Sequence, residues 1–439
     1  MYKIFQYLSQ TYKRLITSIA FIPSTIIIAA FMLGVVVFYF EDYKYSKWLA
    51  ENLKFVLVTG TDNARMVLTT IIGGIISLTV FSFSMVMVVL TRTSAALSPR
   101  LLPQLVAQKF HQVVLGIYMG TIIYSLILVI SIGPEKNLPA LGILISMLLA
   151  ILSLALFIYF IHSISSSIQV DNIMRGILNR ASLQLNQLID HHKNTKALIS
   201  SVPEHSVSLK ATETGYYFYA QPELILNYLK NKELQCRIDI YQGQFILEGT
   251  DIGSYWSLSN PEKKSDKSLD DFFYTNLHPE HIDEYYHNFT KISEIAVKAL
   301  SPGINDPGTA QIALRFLNIL FEQAAKLPEY LTFKLRNSEA GLTVRLPGLS
   351  HLLTDTISPI RQCAGNSTEI FSTLFALYES LLKVAPIHQY PMIVTHLKAL
   401  IASAEISITN SYDRKTINLH IENIGNLPVL HPEKLPYLL

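Results

Sequence analysis

Residues 66–90, MVLTTIIGGIISLTVFSFSMVMVVL, contain no charged side chain. Spanning a hydrocarbon core about 30 Å thick takes roughly 20 apolar residues, and this run is long enough. Three further uncharged runs occupy residues 18–40, 113–132 and 140–161. The charge distribution sharpens the division. Residues 1–165 carry 16 Asp, Glu, Lys and Arg, and the remaining 274 residues carry 52. The sequence therefore predicts a membrane half, residues 18–162 with four transmembrane helices, followed by an ordinary globular half long enough to bury its own core.

Ahead of the first run, residues 1–17 alternate aromatic and aliphatic positions with Lys3, Lys13 and Arg14. This reads as an amphipathic segment at the membrane surface. No small-residue cleavage site follows, so the first run reads as an anchor. Between the first two runs, Tyr43, Tyr45 and Trp48 suit an interfacial aromatic anchor. Gly133, Pro134 and Pro139 bracket a very short turn, so the third and fourth spans form an antiparallel hairpin. Four spans put both termini on one side. That side carries Lys3, Lys13, Arg14, Arg92, Arg100, Lys109, Arg175 and Arg180, against Lys44, Lys47, Lys54, Arg65 and Lys136 on the other. The bias favours cytoplasmic termini.

Residues 163–204 are expected as a helical extension and linker. The helical period of Ile164, Ile168, Ile173, Ile177, Leu183, Leu185 and Leu188 continues the fourth span without a break. Residues 205–258 change to short strands separated by glycines, with Gly243 and Gly249 six apart and suited to tight turns. A small β-barrel or sandwich-like unit is expected there. Residues 259–269 form a polar linker, residues 270–427 a mostly helical subdomain with one short strand at 342–346, and residues 428–439 a loose tail. The fold class is thus a membrane α-helical bundle plus a mixed α/β cytosolic domain with a helical C-terminal part. Cys236 and Cys363 lie far apart, as suits reduced thiols rather than a disulfide framework. A net charge of +2 without any Lys/Arg block gives no nucleic-acid signal.

Thr70, Gly73, Gly74, Ser77 and Ser84 recur at helical spacing, so the second span has one small, polar face. Such a face either packs against another helix or lines a water-filled path. Gly116 and Gly120 give the third span a similar close-approach spacing. No Asp, Glu, Lys, Arg or His falls inside the four runs, which argues against a proton relay, voltage sensor or pump but not against a passive pore. In the second half, Ser301, Asn305, Asp306 and Thr309 sit in the turn ALSPGINDPGTA. That turn is either a capped helix–helix junction or a ligand, ion or subunit contact. His278, His281 and His287 with three carboxylates match no zinc spacing and read as a solvated helix start. His191 and His192 read as a wet helix end. No phosphate-loop, dinucleotide, nucleophile-elbow or zinc-protease pattern occurs, so neither an enzyme nor a cofactor is expected.

Several stretches together resemble a family, the bacterial predicted membrane proteins of domain-of-unknown-function family 2254. They are Ala64-Arg65, Phe83-Ser84, Ser98-Pro99-Arg100-Leu101-Leu102, Gln112-Val113-Val114-Leu115-Gly116, Tyr159-Phe160-Ile161-His162, residues 243–249 and residues 299–310. The resemblance spans roughly residues 55–320. It implies four membrane helices and a large cytosolic part in a bacterial inner membrane, and no particular activity. Four helices without buried charge seal poorly as a one-chain pore. The expected protein is a homo-oligomer in the lipid bilayer, a passive channel or transport-like assembly with a cytosolic gate or vestibule, passing an ion or small ligand. Arg92 and Arg100 would ring its cytosolic mouth. The competing expectation is a non-conducting scaffold or sensor whose cytosolic domain binds a ligand or protein partner.

Overall fold

The computed structural model describes residues 20–40, 60–96, 109–132, 139–167, 169–195, 202–258, 267–277, 285–335, 338–428 and 435–438. The chain divides into two compact units, the second beginning in earnest at Val170.

The first unit is helical: α1 Phe21–Phe40, α2 Thr61–Ala96, α3 Lys109–Ser131 and α4 Ala140–Ser167. Among the described residues, Thr61–Val89, Phe110–Ser131 and Ala140–Ile164 are long and apolar enough to cross a membrane, and α1 is apolar over the shorter Phe21–Val37. The segment Phe110–Ser131 includes His111, so its imidazole lies just inside an apolar segment rather than before it, packed 5.3 Å from the Phe160 ring. Residues 1–17, the aromatic anchor at 43–48 and the 133–138 turn lie outside the described residues.

Small residues decide how these helices meet. A Cβ on Gly116 would stand 2.8 Å from Ile26 Cδ1 and 3.1 Å from Pro23 Cα, and one on Gly120 3.1 Å from Ala30 Cβ. Gly34 is similarly filled by Ile127. The matched order of these contacts means that α1 and α3 run parallel. Hydroxyls join α3 to α4 in antiparallel order: Thr121 to Ser153 at 3.5 Å, Ser125 to Ser146 at 2.7 Å, and Tyr124 donating to the Gly142 carbonyl at 3.2 Å. Arg65 of α2 donates to the Ile132 carbonyl at 2.7 Å, satisfying an orphan group at the end of α3.

The second unit is mixed α/β. It opens with α5 Val170–Asn194, whose buried stripe is Met174, Ile177, Ala181, Leu185 and Ile189. Leu183, part of the predicted stripe, is exposed. The expectation of one unbroken helix from the fourth span is corrected here: α4 ends at Ser167 and α5 starts at Val170. Gln169, between them, is not helical.

Then follow β1 Val207–Lys210, β2 Gly215–Tyr219, α6 Pro222–Lys232, β3 Leu234–Ile238, β4 Phe245–Ile246, β5 Asp251–Ser257, β6 Phe273–Asn276, α7 Tyr285–Ala299, α8 Pro307–Ala324, β7 Tyr330–Lys334, β8 Gly341–Arg345, α9 Leu349–Cys363, α10 Thr368–Val384, α11 Tyr390–Ser407 and α12 Ser411–Gly425. The strands make two open sheets, β1-β5-β3-β8-β7 and β4-β2-β6. Among the described residues only β3 and β8 pair in parallel, with Cys236 opposite Leu342. Residues 205–258 are therefore not a self-contained barrel. β3 takes β8 as a neighbour, and β2 takes β6, both from beyond that segment. The two turn glycines are as expected, with Gly243 at φ +83° and Gly249 at φ +80°, the left-handed region glycine enters freely.

The helical layer matches its apolar stripes. α7 buries Phe289, Ile292 and Ala296, α8 buries Leu314, Leu317 and Phe321, and α10 buries Phe371, Leu374 and Leu381. Three elements go beyond the sequence reading: β6, β7, and α12 with its buried Ile417, Ile421 and Ile424. The tail is held, not loose, at residues 435–438. Asn418 accepts from the Leu438 N–H at 2.8 Å and donates to its carbonyl at 3.0 Å. Cys236 is buried in β3, where burial pushes its thiol up, and Cys363 is exposed; both are free thiols.

Candidate functional site

The polar face of α2 is clearest when set against its buried face. Ala64, Leu68, Ile75 and Ser82 are the buried positions of α2 among the described residues. Spacings of four and seven put them on one stripe. At 100° per residue, Thr70, Gly73, Ser77 and Ser84 lie within roughly 40° of the diametrically opposite line, with Gly74 beside them. All five are exposed. A Cβ on Gly73 or Gly74 would meet nothing within 4 Å. The hydroxyls turn back on their own helix: Thr70 donates to the Met66 carbonyl at 2.7 Å, Ser77 to Gly73 at 3.0 Å and Ser84 to Val80 at 2.9 Å. Each proton is satisfied internally.

Gly116 and Gly120 do not join this face. They are covered by α1, so their small size serves packing within one chain. Arg92 lies on α2 with its side chain outside the described residues, and Arg100 lies outside them altogether.

The 301–309 turn is a capped helix junction. Asp306 accepts from the Thr309 N–H at 3.1 Å and from its hydroxyl at 2.6 Å, which holds its carboxyl below the usual range. Ser301 donates to the Lys298 carbonyl at 2.7 Å. Asn305 sits at φ +49°, a left-handed position asparagine tolerates. Asn305 and Asp306 are exposed.

One constellation escaped the sequence reading. The parallel strands β3 and β8 end on the same side, and charged groups gather there. Arg237 Nε lies 2.8 Å from Asp239 Oδ1, its Nη2 donates to Tyr330 Oη at 2.9 Å, and its guanidinium stacks 4.3 Å from the Tyr330 ring centre. Arg345 pairs with Glu329 at 2.9 Å. Beyond β3, Tyr241 Oη lies 2.6 Å from His351 Nε2, and the same nitrogen lies 3.1 Å from Asp355 Oδ2. Burial raises the Tyr241 phenol, Asp355 adds to the shift and Arg345 opposes it, so the phenol stays protonated. Each cation has its own anion, so the cluster is a latch joining α9 to the end of β3. No sequence motif announces it, because its members come from four separated segments.

His191 is not a wet helix end. Its Nε2 lies 2.9 Å from the Thr332 carbonyl and its ring packs on Phe333. Residues 278–284 lie outside the described residues. Among the described residues no three His, Cys, Asp or Glu converge as a metal site.

Helices long and apolar enough to cross a membrane, packed through glycine and hydroxyl contacts, with a mixed α/β unit following, define the class: a predicted membrane protein with a second, mixed α/β unit. The chain belongs to the DUF2254 family of predicted membrane proteins, whose profile matches residues 16–380. It is similar to the uncharacterized proteins MT1328 and Rv1290c of Mycobacterium tuberculosis and Mb1321c of Mycobacterium bovis, at 26% identity over 276 residues in each case. The match covers 60% of this chain and 52% of each relative. The chain thus spans about half the length of the curated relatives it matches. No solved structure matches it.

Proposed function

We propose that the protein is a homo-oligomeric, passive channel or transport-like assembly in a bacterial inner membrane, with α2 of each copy facing the shared path. The observation that carries this reading is the two-sidedness of α2: one stripe buried in its own chain, the opposite hydroxyl and glycine face left uncovered. Hydroxyl lone pairs and small residues can contact water without bringing a charge into the bilayer. The reading takes α1 as a fourth span. Its 20 residues cover about 30 Å, and its parallel run with α3 suits an up-and-down bundle with both termini cytoplasmic. Arg92 and Arg100 would then stand at the cytoplasmic mouth and favour anions. No catalytic role or cofactor enters.

Ion flux in liposomes holding the purified protein tests the proposal, with Ser77→Leu alongside. Flux above that of empty liposomes, lost in the variant, supports a path lined by α2. Flux in both moves the path to another helix. No flux in either favours the second reading, a non-conducting scaffold or sensor that binds its ligand or partner through the α/β unit. The polar constellation at the ends of β3 and β8 is what supports that second reading, since α/β sheets commonly place binding groups at strand ends.

A further inference from the structure

Two histidines fall within the apolar segments Phe110–Ser131 and Ala140–Ile164, and they differ. His162 of α4 is exposed, whereas His111 of α3 is only 8% exposed. His111 sits where the start of α3 meets the end of α4. Its ring lies 5.3 Å from Phe160 and 6.0 Å from Phe110, edge to face in both cases. Phe110 packs in turn on Tyr159 at 4.7 Å. Next along, Val114, Tyr118, Phe160 and Ile164 form a buried cluster with Ile75 of α2, and Val86 and Val89 of α2 pack against it. One seam thus joins α2, α3 and α4.

This seam is built for a neutral imidazole. Nε2 of His111 is buried and has no hydrogen-bond partner among the described residues. A neutral ring can present that nitrogen as acceptor or donor, but an imidazolium carries N–H at both nitrogens. The charged form therefore puts a donor where no acceptor stands and a cation where water does not reach, and both are unfavourable. His111 also lies in the first turn of α3, at the positive pole of the helix dipole.

Helices α1 to α4 supply no counter-ion at this end. Their one carboxylate is Asp62, which belongs to the far end, three residues before the Arg65 that bonds the Ile132 carbonyl. The other ionisable groups these elements carry near the seam are Tyr118, Tyr159, His162, Lys109 and Arg92. The tyrosines stay neutral until about pH 10. The side chains of Lys109 and Arg92 lie outside the described residues, and as cations neither can neutralise an imidazolium. Ring faces attract cations, but more weakly than the water an imidazolium gives up.

We propose that His111 is a proton-operated lock on this seam. Neutral, it fills the space between Phe110 and Phe160 and lets α3 close on α4. Acid charges it, and the charge reaches water only if the start of α3 parts from the end of α4. The sign is fixed: the seam is closed above the imidazole range and loosened below it. Because Val86 and Val89 pack into the same cluster, the loosening extends to α2. The inference concerns packing within one chain and stands whether or not the protein conducts.

Hydrogen–deuterium exchange of the full chain in detergent micelles tests it at about pH 8 and about pH 5, with rates corrected for the intrinsic effect of pH. His111→Phe and His111→Gln are neutral at both values, and the unfolding temperature at the higher pH shows which of them keeps the fold. In the unaltered protein, protection of residues 110–118 and 156–164 should fall at least about tenfold on acidification, the local opening that a buried charge drives. Residues 371–381 of α10 should keep theirs. A folded neutral variant should hold its protection at both values. His162→Gln, at an exposed position, should lose protection as the unaltered protein does. Unchanged protection of the unaltered protein at the lower pH overturns the proposal. So does an equal loss in a folded neutral variant, or a loss abolished by His162→Gln.

Discussion

Single residues set the local geometry of this protein, and their chemistry can be tested one at a time. Asp306 caps α8 through Thr309, and its carboxyl is held below the ordinary range mainly by the Thr309 hydroxyl. A depressed carboxyl stabilises the folded state above the unfolded pKa and loses that contribution as pH falls through the folded value. Asp306→Ala should therefore lower unfolding stability by about 1 kcal/mol at neutral pH. In denaturant titrations of the full chain, the gap to the unaltered protein should close as the pH drops below the usual carboxylate range. Gly253 is constrained differently. It lies where β5 meets β3, and a Cβ there would overlap the Arg237 carbonyl oxygen. Gly253→Val should cost about 3 kcal/mol or more, seen as a lowered denaturation midpoint, because backbone rather than a flexible side chain must yield. The sequence marks Asp306 as a cap candidate from its own neighbourhood. It gives no hint of Gly253, whose constraint comes from another strand.

At the scale of elements, α2 and α3 carry the same local signal and meet different fates. Both display small residues at close-approach spacing. Gly116 and Gly120 are filled by α1, whereas Gly73 and Gly74 face open space. Gly116→Leu should force α1 and α3 apart and lower the unfolding temperature in detergent. Gly73→Leu should leave that temperature unchanged while weakening self-association, read as a smaller mass by native mass spectrometry. An unchanged mass would remove the second-copy role of this face. Helices α9, α10 and α11, at 349–363, 368–384 and 390–407, fall in the stretch 270–427 that reads as mostly helical. Their apolar period is a local property, and the stripes point into one core. α12 carries the same signal, Asn410 as a cap and an isoleucine stripe.

The whole molecule depends on pairing between distant segments. β3 lies between β5 and β8, and β2 lies between β4 and β6. Residues 205–258, which look like a self-contained β module, lack two of these partners. Excised, that segment should show no cooperative thermal transition by circular dichroism, whereas the α/β unit within the full chain should melt cooperatively. A cooperative transition in the excised piece would restore the independent module.

What the sequence by itself determined was whatever solvent preference and short-range period can encode. Uncharged runs place apolar helices, stripes of Leu, Ile and Phe place the amphipathic ones, and Gly243 and Gly249 place turns. These signals lie within one or two turns of chain. The tertiary structure alone decided which faces find partners. It covered Gly116 but not Gly73, brought Gly341–Arg345 beside Leu234–Ile238, turned His191 onto Thr332, and packed His111 against Phe160. Each of these outcomes depends on atoms remote in sequence arriving at one place, and no local pattern records the choice of neighbour.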